Sequence, residues 1–340
     1  MPYRVAVSTE SMDAAGRVIY GDIGLDAFAD AGVEWDWLTP AGHDYAAGQL
    51  DGFDALWILG HAGITADSLR GAERLRHIAR FGAGYDQIDL TACSERGVLV
   101  TNAPNGVRTP MVHTAITLLF ALGHNLLPKD RLARSGDWLQ NSELRGRGLQ
   151  NATIGIVGLG GIGAALARML VRMGLKVVAY NRSPRPELIN ELGIEQRPLT
   201  DVLAGSDYVV ITVAASAGTR HFIGVEELAM MRPGSYLINI ARGSVVDEDA
   251  LINALESGRL AGAGLDVYAT EPLPASSPLT RLDNVVLGPH SLCWTDTYTA
   301  DTSAEARACI LDVAAGGTPQ NLVNPEALTV FGERFGTSMP

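Results

Sequence analysis

Several features that mark particular classes of protein are scarce in this sequence. Only 19% of its 340 residues are charged, and 38 acidic residues outnumber 26 basic ones, which gives a formal net charge of −12. Nucleic-acid-binding proteins normally present a basic face, so this balance argues against a nucleic-acid partner. The most apolar helical run covers residues 115–122. It is far shorter than the roughly 20 residues that a membrane span requires, so we expect a core segment and no membrane partner.

Cysteine is also rare. Cys93, Cys293 and Cys309 are the three cysteines, and they show neither the paired spacing of a metal site nor the even number of a disulfide framework. We therefore predict no metal site and a reducing, cytoplasmic location. The N-terminal residues 1–7 lack the basic and apolar regions of a signal peptide, which favours the same location.

Apolar residues and glycine are abundant, as in soluble α/β proteins. Strand-like runs alternate with helical patterns along the chain, which predicts parallel sheets covered by helices. The predicted strands are residues 3–7, 33–38, 55–59, 75–81, 98–101, 208–213, 235–240, 260–267 and 285–287. The predicted helices are residues 22–31, 66–72, 89–96, 225–231, 247–256 and a final helix at 301–314. We expect the chain from residue 331 onward to contribute poorly to a core and to fray.

A glycine-rich stretch links a short apolar strand at residue 153 to a helical pattern that ends at residue 174. In this setting Gly158 permits the turn, Gly160 allows a pyrophosphate to approach the backbone, and Gly163 allows helix and strand to pack closely. Gly161 and Ile162 open the helix, whose N-terminus attracts phosphate. The stretch predicts dinucleotide binding, and a purely structural glycine turn is the alternative.

The end of the next strand indicates which dinucleotide is bound. NAD sites usually place an acidic residue there, on the ribose 2′-OH. This chain instead has the neutral Asn181, followed by Arg182, Ser183 and Arg185. Arginine suits a phosphate group because its planar fork makes bidentate bonds. We therefore predict NADP(H) as the preferred cofactor. NAD(H) stays possible, because the charged turn could simply be solvated.

Two loops at predicted strand ends are candidates for substrate binding. One contains His61, and the other contains Gly82, Ala83 and Gly84. Glycines on both sides of a small residue leave backbone N–H groups available for a carboxylate. A turn or helix cap is the alternative interpretation of these glycines.

Three further strand ends carry ionisable residues, in residues 239–243, 265–272 and 287–290. The run Asn-Ile-Ala-Arg-Gly-Ser-Val-Val-Asp from Asn239 to Asp247, the pair Glu271-Pro272 after Asp266, and Pro289-His290 stand in this order after the glycine turn. Together they resemble the D-isomer-specific 2-hydroxyacid dehydrogenases, over residues 5–325.

The resemblance implies two Rossmann-like doubly wound parallel-sheet domains with a cleft between them. Residues 1–103 and 291–340 would form a discontinuous substrate domain, and residues 104–290 the dinucleotide-binding domain. It also implies a homodimer, with residues 126–149 in the region that relatives use for association. The activity implied is D-specific hydride transfer between the cofactor and a small 2-oxo acid such as glyoxylate or hydroxypyruvate.

The resemblance also implies roles for the matching residues. Arg242 would bind the substrate carboxylate and carbonyl, His290 would be the general acid/base, and Glu271 would pair with His290. Asp266 would contact the nicotinamide carboxamide region, and Ala241 would also lie at the cofactor. These roles agree with the chemistry, because ketone reduction needs a proton donor within reach and a fixed cation near the developing oxyanion. A carboxylate beside an imidazole orients it and favours imidazolium.

The sequence also departs from the family pattern. Arg108 and His113 replace the Thr and Glu that relatives usually have, so Arg108 could bind a cofactor phosphate or a second acidic group. Trp294 follows His290 and could either narrow the substrate pocket or stack on a larger substrate. His113 and His124 are expected to be packed, structural histidines. The alternative function is a dinucleotide-sensing regulator of the corepressor type, whose members retain the same residues.

Overall fold

The computed structural model describes residues 1–336, apart from the side chains of residues 140 and 141. It divides into two compact units, Met1–Val107 with the chain from Trp294 onward, and Arg108–Cys293. The sequence predicts the boundaries of the two domains between residues 103 and 104 and between residues 290 and 291. The last four residues of the predicted substrate domain, 337–340, lie outside the described residues.

Strands and helices alternate along most of the chain. The strands are β1 (Tyr3–Ser8), β2 (Val33–Leu38), β3 (Ala55–Ile58), β4 (His77–Arg80), β5 (Leu99–Thr101), β6 (Thr153–Val157), β7 (Lys176–Tyr180), β8 (Glu195–Gln196), β9 (Tyr208–Ile211), β10 (Tyr236–Asn239), β11 (Gly262–Leu265) and β12 (Val285–Leu287). The helices are α1 (Asp26–Asp30), α2 (Leu90–Glu95), α3 (Pro104–Gly123), α4 (Leu126–Ser135), α5 (Gly161–Arg172), α6 (Pro186–Leu192), α7 (Leu199–Gly205), α8 (Val225–Met230), α9 (Glu248–Glu256), α10 (Asp296–Ala314) and α11 (Ala327–Phe335). Short 3₁₀ segments lie at Trp138–Leu144, Ala217–Thr219, Gly243–Val245 and Pro278–Arg281.

The first unit contains a five-stranded sheet in the order β2-β1-β3-β4-β5. All its neighbouring strands are parallel, with Val5 opposite Ala55 and Ala55 opposite His77. Strands β3 and β5 are buried along their whole length, as expected for a parallel sheet covered on both faces.

The second unit contains a seven-stranded parallel sheet in the order β12-β11-β10-β9-β6-β7-β8. After β6 the chain first adds strands on one side and then returns to add β9 to β12 on the other. The reversal makes the carboxyl ends of β6 and β9 a topological switch point, the position at which such sheets bind ligands. These two sheets confirm the predicted α/β fold.

Three sequence predictions about local structure are wrong. Residues 66–72 form turns instead of a helix, because Ser68 bonds the backbone of Thr65 and Tyr45 and Gly71 adopts a φ of +81°. The helix predicted at 301–314 starts at Asp296 and is not the last one. Helix α11 follows it, and its Phe331 is only 1% exposed against Leu99, Val313 and Ala327. The expected fraying is therefore wrong for residues 331–335, whereas residues 337–340 lie outside the described part.

In the described part of the chain no single helix is long and apolar enough to cross a membrane. Helices α3 and α4 pass such a test of length and composition only when taken together, and the pair is bent by 58°.

Candidate active site

The glycine loop between β6 and α5 lies at the switch point of the second sheet. Gly158 has a φ of +106°, which favours glycine. A Cβ atom on Gly163 would overlap the carbonyl oxygen of Gly158, so only glycine allows this close approach of helix and loop. A Cβ atom on Gly160 would meet nothing within 4 Å, so open space adjoins the backbone at the N-cap of α5. The loop has the shape that a pyrophosphate needs.

The residues predicted to contact the cofactor ribose lie after β7. The side chain of Asn181 accepts the backbone N–H of Leu159 at 2.9 Å and donates to the carbonyl of Ser183 at 2.8 Å. Asn181 therefore joins this turn to the glycine loop. Arg182 and Ser183 are exposed, and the guanidinium of Arg185 donates to the carbonyl of Leu159 at 3.1 Å. The structure thus places Arg185 beside the glycine loop and leaves Arg182 exposed in the same turn.

Arg242 lies in the loop after β10, and the Asn239 side chain fixes that loop. The Asn239 amide donates to the Arg242 carbonyl at 2.9 Å and accepts the N–H of Ala241 at 3.0 Å. A Cβ atom on Gly243 would overlap the backbone of Tyr268, which explains the glycine directly after the arginine. Arg242 is thereby held beside the segment that follows β11.

Glu271 and His290 form a hydrogen-bonded pair. Nδ1 of His290 lies 2.7 Å from Oε2 of Glu271, and Oε1 of Glu271 accepts the N–H of Tyr268 at 2.9 Å. The His290 side chain is 25% exposed and the Glu271 side chain is 32% exposed. Glu271 follows β11 and His290 follows β12. These two strands are neighbours in the sheet, and β11 is also the neighbour of β10. The structure therefore brings the predicted acid/base and its carboxylate partner together at the same sheet edge that carries Arg242.

Asp266 is almost fully buried, at 1% exposure, and holds the turn that follows His290. Its carboxylate accepts the backbone N–H of Ser291 at 3.1 Å and that of Leu292 at 3.3 Å. His290 has a φ of +54°, which side chains other than glycine rarely adopt, so these bonds stabilise an uncommon backbone conformation. Burial raises the pKa of Asp266 to about 6. The predicted contact of Asp266 with the nicotinamide carboxamide stays a prediction.

The two predicted substrate loops lie at the carboxyl ends of β3 and β4 in the first unit. The backbone N–H groups of His61 and Ala62 both donate to Oε1 of Glu10, at 2.7 and 2.5 Å, so an internal carboxylate already binds them. The carbonyl of Gly82 accepts the N–H of Ala103, and that of Ala83 accepts the side chain of Asn102. Gly82 has a φ of +118°. These bonds fix the backbone of the predicted carboxylate nest at Gly82–Gly84.

Trp294 belongs to an aromatic cluster in the first unit. Its ring meets that of Tyr20 edge-on at 4.8 Å, and Tyr20 lies 4.7 Å from Phe81, the residue before the nest. The Tyr20 hydroxyl donates to the carbonyl of Leu59 at 3.2 Å. Trp294 remains 40% exposed. Its predicted contact with substrate stays a prediction, and the structure shows its ring in edge-on contact with Tyr20.

Sequence reasoning missed or misplaced several residues. Tyr268 donates to the carbonyl of Gly288 at 2.7 Å and so ties the ends of β11 and β12 together, although nothing in its local pattern indicates this. His113 on α3 and His124 in the turn after α3 are both exposed, so the expectation that they are packed is wrong for His113, whereas His124 stacks on Phe120 with ring centres 5.8 Å apart. Among the described residues, no group of three or more His, Cys, Asp or Glu side chains is placed to hold a metal ion.

Comparison with known proteins agrees with this geometry. Residues 116–291 match the family described as D-isomer specific 2-hydroxyacid dehydrogenase, NAD binding domain. A glyoxylate reductase from Korarchaeum cryptofilum is 38% identical over 82% of this chain and 84% of its own length. One from Thermococcus kodakarensis is 40% identical over 82% and 85%.

A solved structure shows similarity over almost the whole chain. It is an NADPH-dependent glyoxylate/hydroxypyruvate reductase from Sinorhizobium meliloti in complex with NADP and malonate, 27% identical, with a TM-score of 0.83 over 96% of this chain and 98% of that one. The regulatory alternative receives no support from these relatives. The chain therefore belongs to the D-isomer-specific 2-hydroxyacid dehydrogenases and is an NAD(P)-dependent oxidoreductase that acts on a small 2-oxo or 2-hydroxy acid.

Proposed function

We propose that this 2-hydroxyacid dehydrogenase reduces glyoxylate to glycolate or hydroxypyruvate to D-glycerate, with NADPH as the preferred cofactor. The observation that carries the proposal is the 2.7 Å hydrogen bond between Glu271 and His290 at the sheet edge that also carries Arg242. A proton donor with a fixed ring and a permanent cation are the two protein groups that ketone reduction requires.

The roles follow from the chemistry of these side chains. When bound, the reduced nicotinamide supplies hydride to the carbonyl carbon of the 2-oxo acid. Because Glu271 holds Nδ1 of His290, the proton for the carbonyl oxygen comes from Nε2. In the oxidative direction the same nitrogen accepts the proton from the hydroxyl group. The Arg242 guanidinium keeps its charge throughout and binds the carboxylate and carbonyl oxygens of the substrate.

The preference for NADPH rests on the turn after β7. Asn181 replaces the carboxylate that would repel a 2′-phosphate, and Arg182 and Arg185 bring two cationic groups to this turn. Arg185 lies against the glycine loop, and the exposed Arg182 is available to pair with phosphate. The Sinorhizobium meliloti relative, which is NADPH-dependent by its name, supports the same choice.

Steady-state kinetics test the function directly. NADPH oxidation is followed with glyoxylate, hydroxypyruvate, pyruvate and oxaloacetate, and then with NADH in place of NADPH. We expect the largest kcat/KM for glyoxylate or hydroxypyruvate with NADPH, and D-glycerate as the product from hydroxypyruvate. A higher kcat/KM with NADH, or an L-product, contradicts the proposal. His290→Gln serves as the control, because it should bind NADPH normally while turning over slowly.

We further propose a homodimer that associates through the segment around α4 and the 3₁₀ segment after it. This segment carries exposed apolar side chains, with Leu126 54%, Trp138 71% and Leu139 94% exposed. Large apolar side chains exposed together are typical of an association surface. Light scattering on a sizing column should give twice the mass of 36.0 kDa. Trp138→Glu should yield monomers, whereas Ile19→Glu, which changes an exposed apolar residue in the first unit, should not.

A cytoplasmic location is the last part of the proposal. Cys93, Cys293 and Cys309 are buried free thiols. Free thiols are typical of proteins from reducing compartments. Cell fractionation with an antibody against the chain tests this, and recovery from an oxidising compartment contradicts it.

A further inference from the structure

Arg108 lies against the N-terminus of α5. A Cβ atom on Gly161, the first residue of that helix, would lie 3.5 Å from Nε and 3.6 Å from Nη2 of Arg108. The guanidinium thus sits where a side chain at position 161 would extend, beside the loop that receives the cofactor phosphates. Arg108 and Gly161 are far apart in the chain, and the sequence left open whether Arg108 binds a cofactor phosphate or a second acidic group.

Packing holds the helix that carries Arg108. The arginine is half-buried near the start of α3. One and two turns further along α3, Val112 and Ala115 belong to the same buried core as Leu159 of the glycine loop and Ala164 of α5. The backbone of α3 next to Arg108 is therefore held by the same core as the glycine loop.

The position is electrostatically unusual for a cation. The N-terminus of a helix carries a positive partial charge, which repels a cation and attracts an anion. Helix α5 has no acidic residue in its first turn that would offset this repulsion. An anion bound between the guanidinium and the helix N–H groups would attract both and so offset the repulsion between them.

We infer that Arg108 binds the pyrophosphate of the nicotinamide dinucleotide, together with the backbone N–H groups at the start of α5. The guanidinium offers bidentate, charge-assisted bonds to phosphate oxygens, which the threonine usual at this position in the family does not. The inference rests on dinucleotide binding at the glycine loop. It does not depend on the preferred 2-oxo acid or on a preference for NADPH.

This role differs in a measurable way from that of Arg182 and Arg185. The pyrophosphate is common to NADH and NADPH, whereas only NADPH carries the 2′-phosphate. Loss of a pyrophosphate contact therefore weakens both cofactors equally, and loss of a 2′-phosphate contact weakens NADPH alone. Adenosine 2′-phosphate, which has no pyrophosphate, should not respond to Arg108 at all.

Calorimetric titration of the full chain with NADPH, NADH and adenosine 2′-phosphate tests the inference. In Arg108→Thr we expect the Kd of both dinucleotides to rise by the same factor, about 10- to 100-fold. The Kd of adenosine 2′-phosphate should stay unchanged. Arg108→Lys, which keeps the charge but loses the fork, should lie between the wild type and Arg108→Thr. Arg172→Thr, at the exposed C-terminal end of the same helix, is the matched control and should bind all three ligands normally.

Other outcomes overturn the inference. A loss confined to NADPH and adenosine 2′-phosphate would place Arg108 at the 2′-phosphate. Unchanged dinucleotide binding with a raised KM for the 2-oxo acid would make it a substrate residue. Thermal unfolding of each variant separates these results from misfolding, and a partly unfolded Arg108→Thr leaves the decision to Arg108→Lys. If the proposed reductase activity fails, the wild type shows no turnover while its Kd values still report on Arg108.

Discussion

Glu271 holds His290 in place from one side while its own position is fixed from the other. One carboxylate oxygen lies 2.7 Å from Nδ1 of His290, and the second accepts the backbone N–H of Tyr268 at 2.9 Å. Tyr268 is itself bonded to the carbonyl of Gly288, two residues before the histidine. The ring orientation of His290 is therefore set by a closed path of hydrogen bonds that runs through neighbouring strand ends.

This arrangement makes Glu271→Gln informative. Glutamine keeps an oxygen for the Tyr268 N–H, but it presents an uncharged amide to Nδ1, so the charge-assisted hydrogen bond that orients the ring is lost. We expect kcat for 2-oxo acid reduction to fall about 10- to 100-fold, which corresponds to about 1.4–2.8 kcal/mol of transition-state stabilisation. The Kd of NADPH should stay the same, because Glu271 acts through His290.

Glu248→Gln is the control for this variant. Glu248 also accepts a backbone N–H in this neighbourhood, that of Ala269 at 2.9 Å. It makes no bond to the His290 ring, so its variant should keep a nearly normal kcat. Equal losses of kcat in both variants would show that Glu271 matters only for the loop structure.

Asp266 predicts a particular dependence of stability on pH. Burial raises its pKa from 3.8 to about 6, so the folded state disfavours the charged form. This cost is present in full above pH 6, shrinks as the pH falls through 6 and is absent below the unfolded value of 3.8. A shift of this size corresponds to about 3 kcal/mol. The free energy of unfolding of the wild type, relative to Asp266→Asn, should therefore rise as the pH falls from about 7 to about 4.

Urea unfolding of both proteins across this pH range provides the measurement. Groups that do not interact with Asp266 contribute equally in both proteins, so their effects cancel in the difference. A difference that stays constant with pH would mean that Asp266 titrates normally in the folded state. A difference that falls with decreasing pH would contradict the direction of the shift.

The Asn181→Asp variant tests the cofactor preference by replacing one side-chain atom, the amide nitrogen, with oxygen. Aspartate keeps the acceptor for the Leu159 N–H, loses the donor to the Ser183 carbonyl and adds a charge that repels a 2′-phosphate. It also offers an acceptor to the ribose 2′-OH of NADH. We expect the ratio of kcat/KM for NADPH to that for NADH to fall at least about tenfold, equivalent to about 1.4 kcal/mol.

Asn181→Ala separates charge from structure in this experiment. It removes both hydrogen bonds without adding charge, so kcat/KM should decrease for both cofactors by similar factors. If Asn181→Asp behaves like Asn181→Ala, the turn does not contact the 2′-phosphate, and the proposed preference loses its basis.

The sequence allowed the candidate site of the second unit to be predicted because its parts are local. Arg242, Glu271 and His290 lie three to six residues after the ends of β10, β11 and β12, and parallel strands bring their carboxyl ends to one edge. The glycine loop is equally local. The strand pattern and the glycine spacing located these residues at strand ends, and the family resemblance supplied the roles of Arg242, Glu271 and His290.

Contacts between residues far apart in the chain could not be predicted in the same way. Glu10 binds the N–H groups of His61 and Ala62 across about fifty residues, and neither segment carries a sign of the other. Arg108 reaches Gly161 across a similar distance. Such contacts depend on how elements pack, and the periodicity of a single element contains no information about its neighbours.

Helix α11 illustrates a related failure and gives a stability prediction. The segment looked like a poor core former, yet Phe331 is 1% exposed and packs with Leu99, Val313 and Ala327. Phe331→Ala should lower the free energy of unfolding by about 3–5 kcal/mol, because it leaves a cavity in this small core. Thr329→Ala, on the exposed side of the same helix, should change it by less than about 0.5 kcal/mol. If urea unfolding shows an equally small change in the free energy of unfolding for both variants, the helix does not contribute to the core.

The two sheets share a device at the amino ends of their strands. Asp54 precedes β3 and accepts the backbone N–H of Arg4 at 2.9 Å, and Asp207 precedes β9 and accepts that of Thr153 at 2.9 Å. Both aspartates are buried, at 3% and 4% exposure. Each is also paired with two arginines. These are Arg74 and Arg76 for Asp54, and Arg147 and Arg232 for Asp207.

Asp207→Asn should therefore destabilise the protein without slowing catalysis. It leaves the arginines and the strand N–H with a neutral partner, and hydrogen bonds to charged groups contribute about 1.5–3 kcal/mol. The candidate active site lies at the opposite, carboxyl ends of the strands, so kcat should be unchanged.

Asp283→Asn is the matched control: Asp283 also pairs with an arginine, Arg131 at 2.9 Å, but its side chain is 91% exposed. Such exposed pairs contribute about 0–1 kcal/mol, so urea unfolding should separate the two variants clearly. Equal destabilisation would show that burial does not strengthen the Asp207 pair, and a lower kcat in Asp207→Asn would show that this end of the sheet communicates with the site.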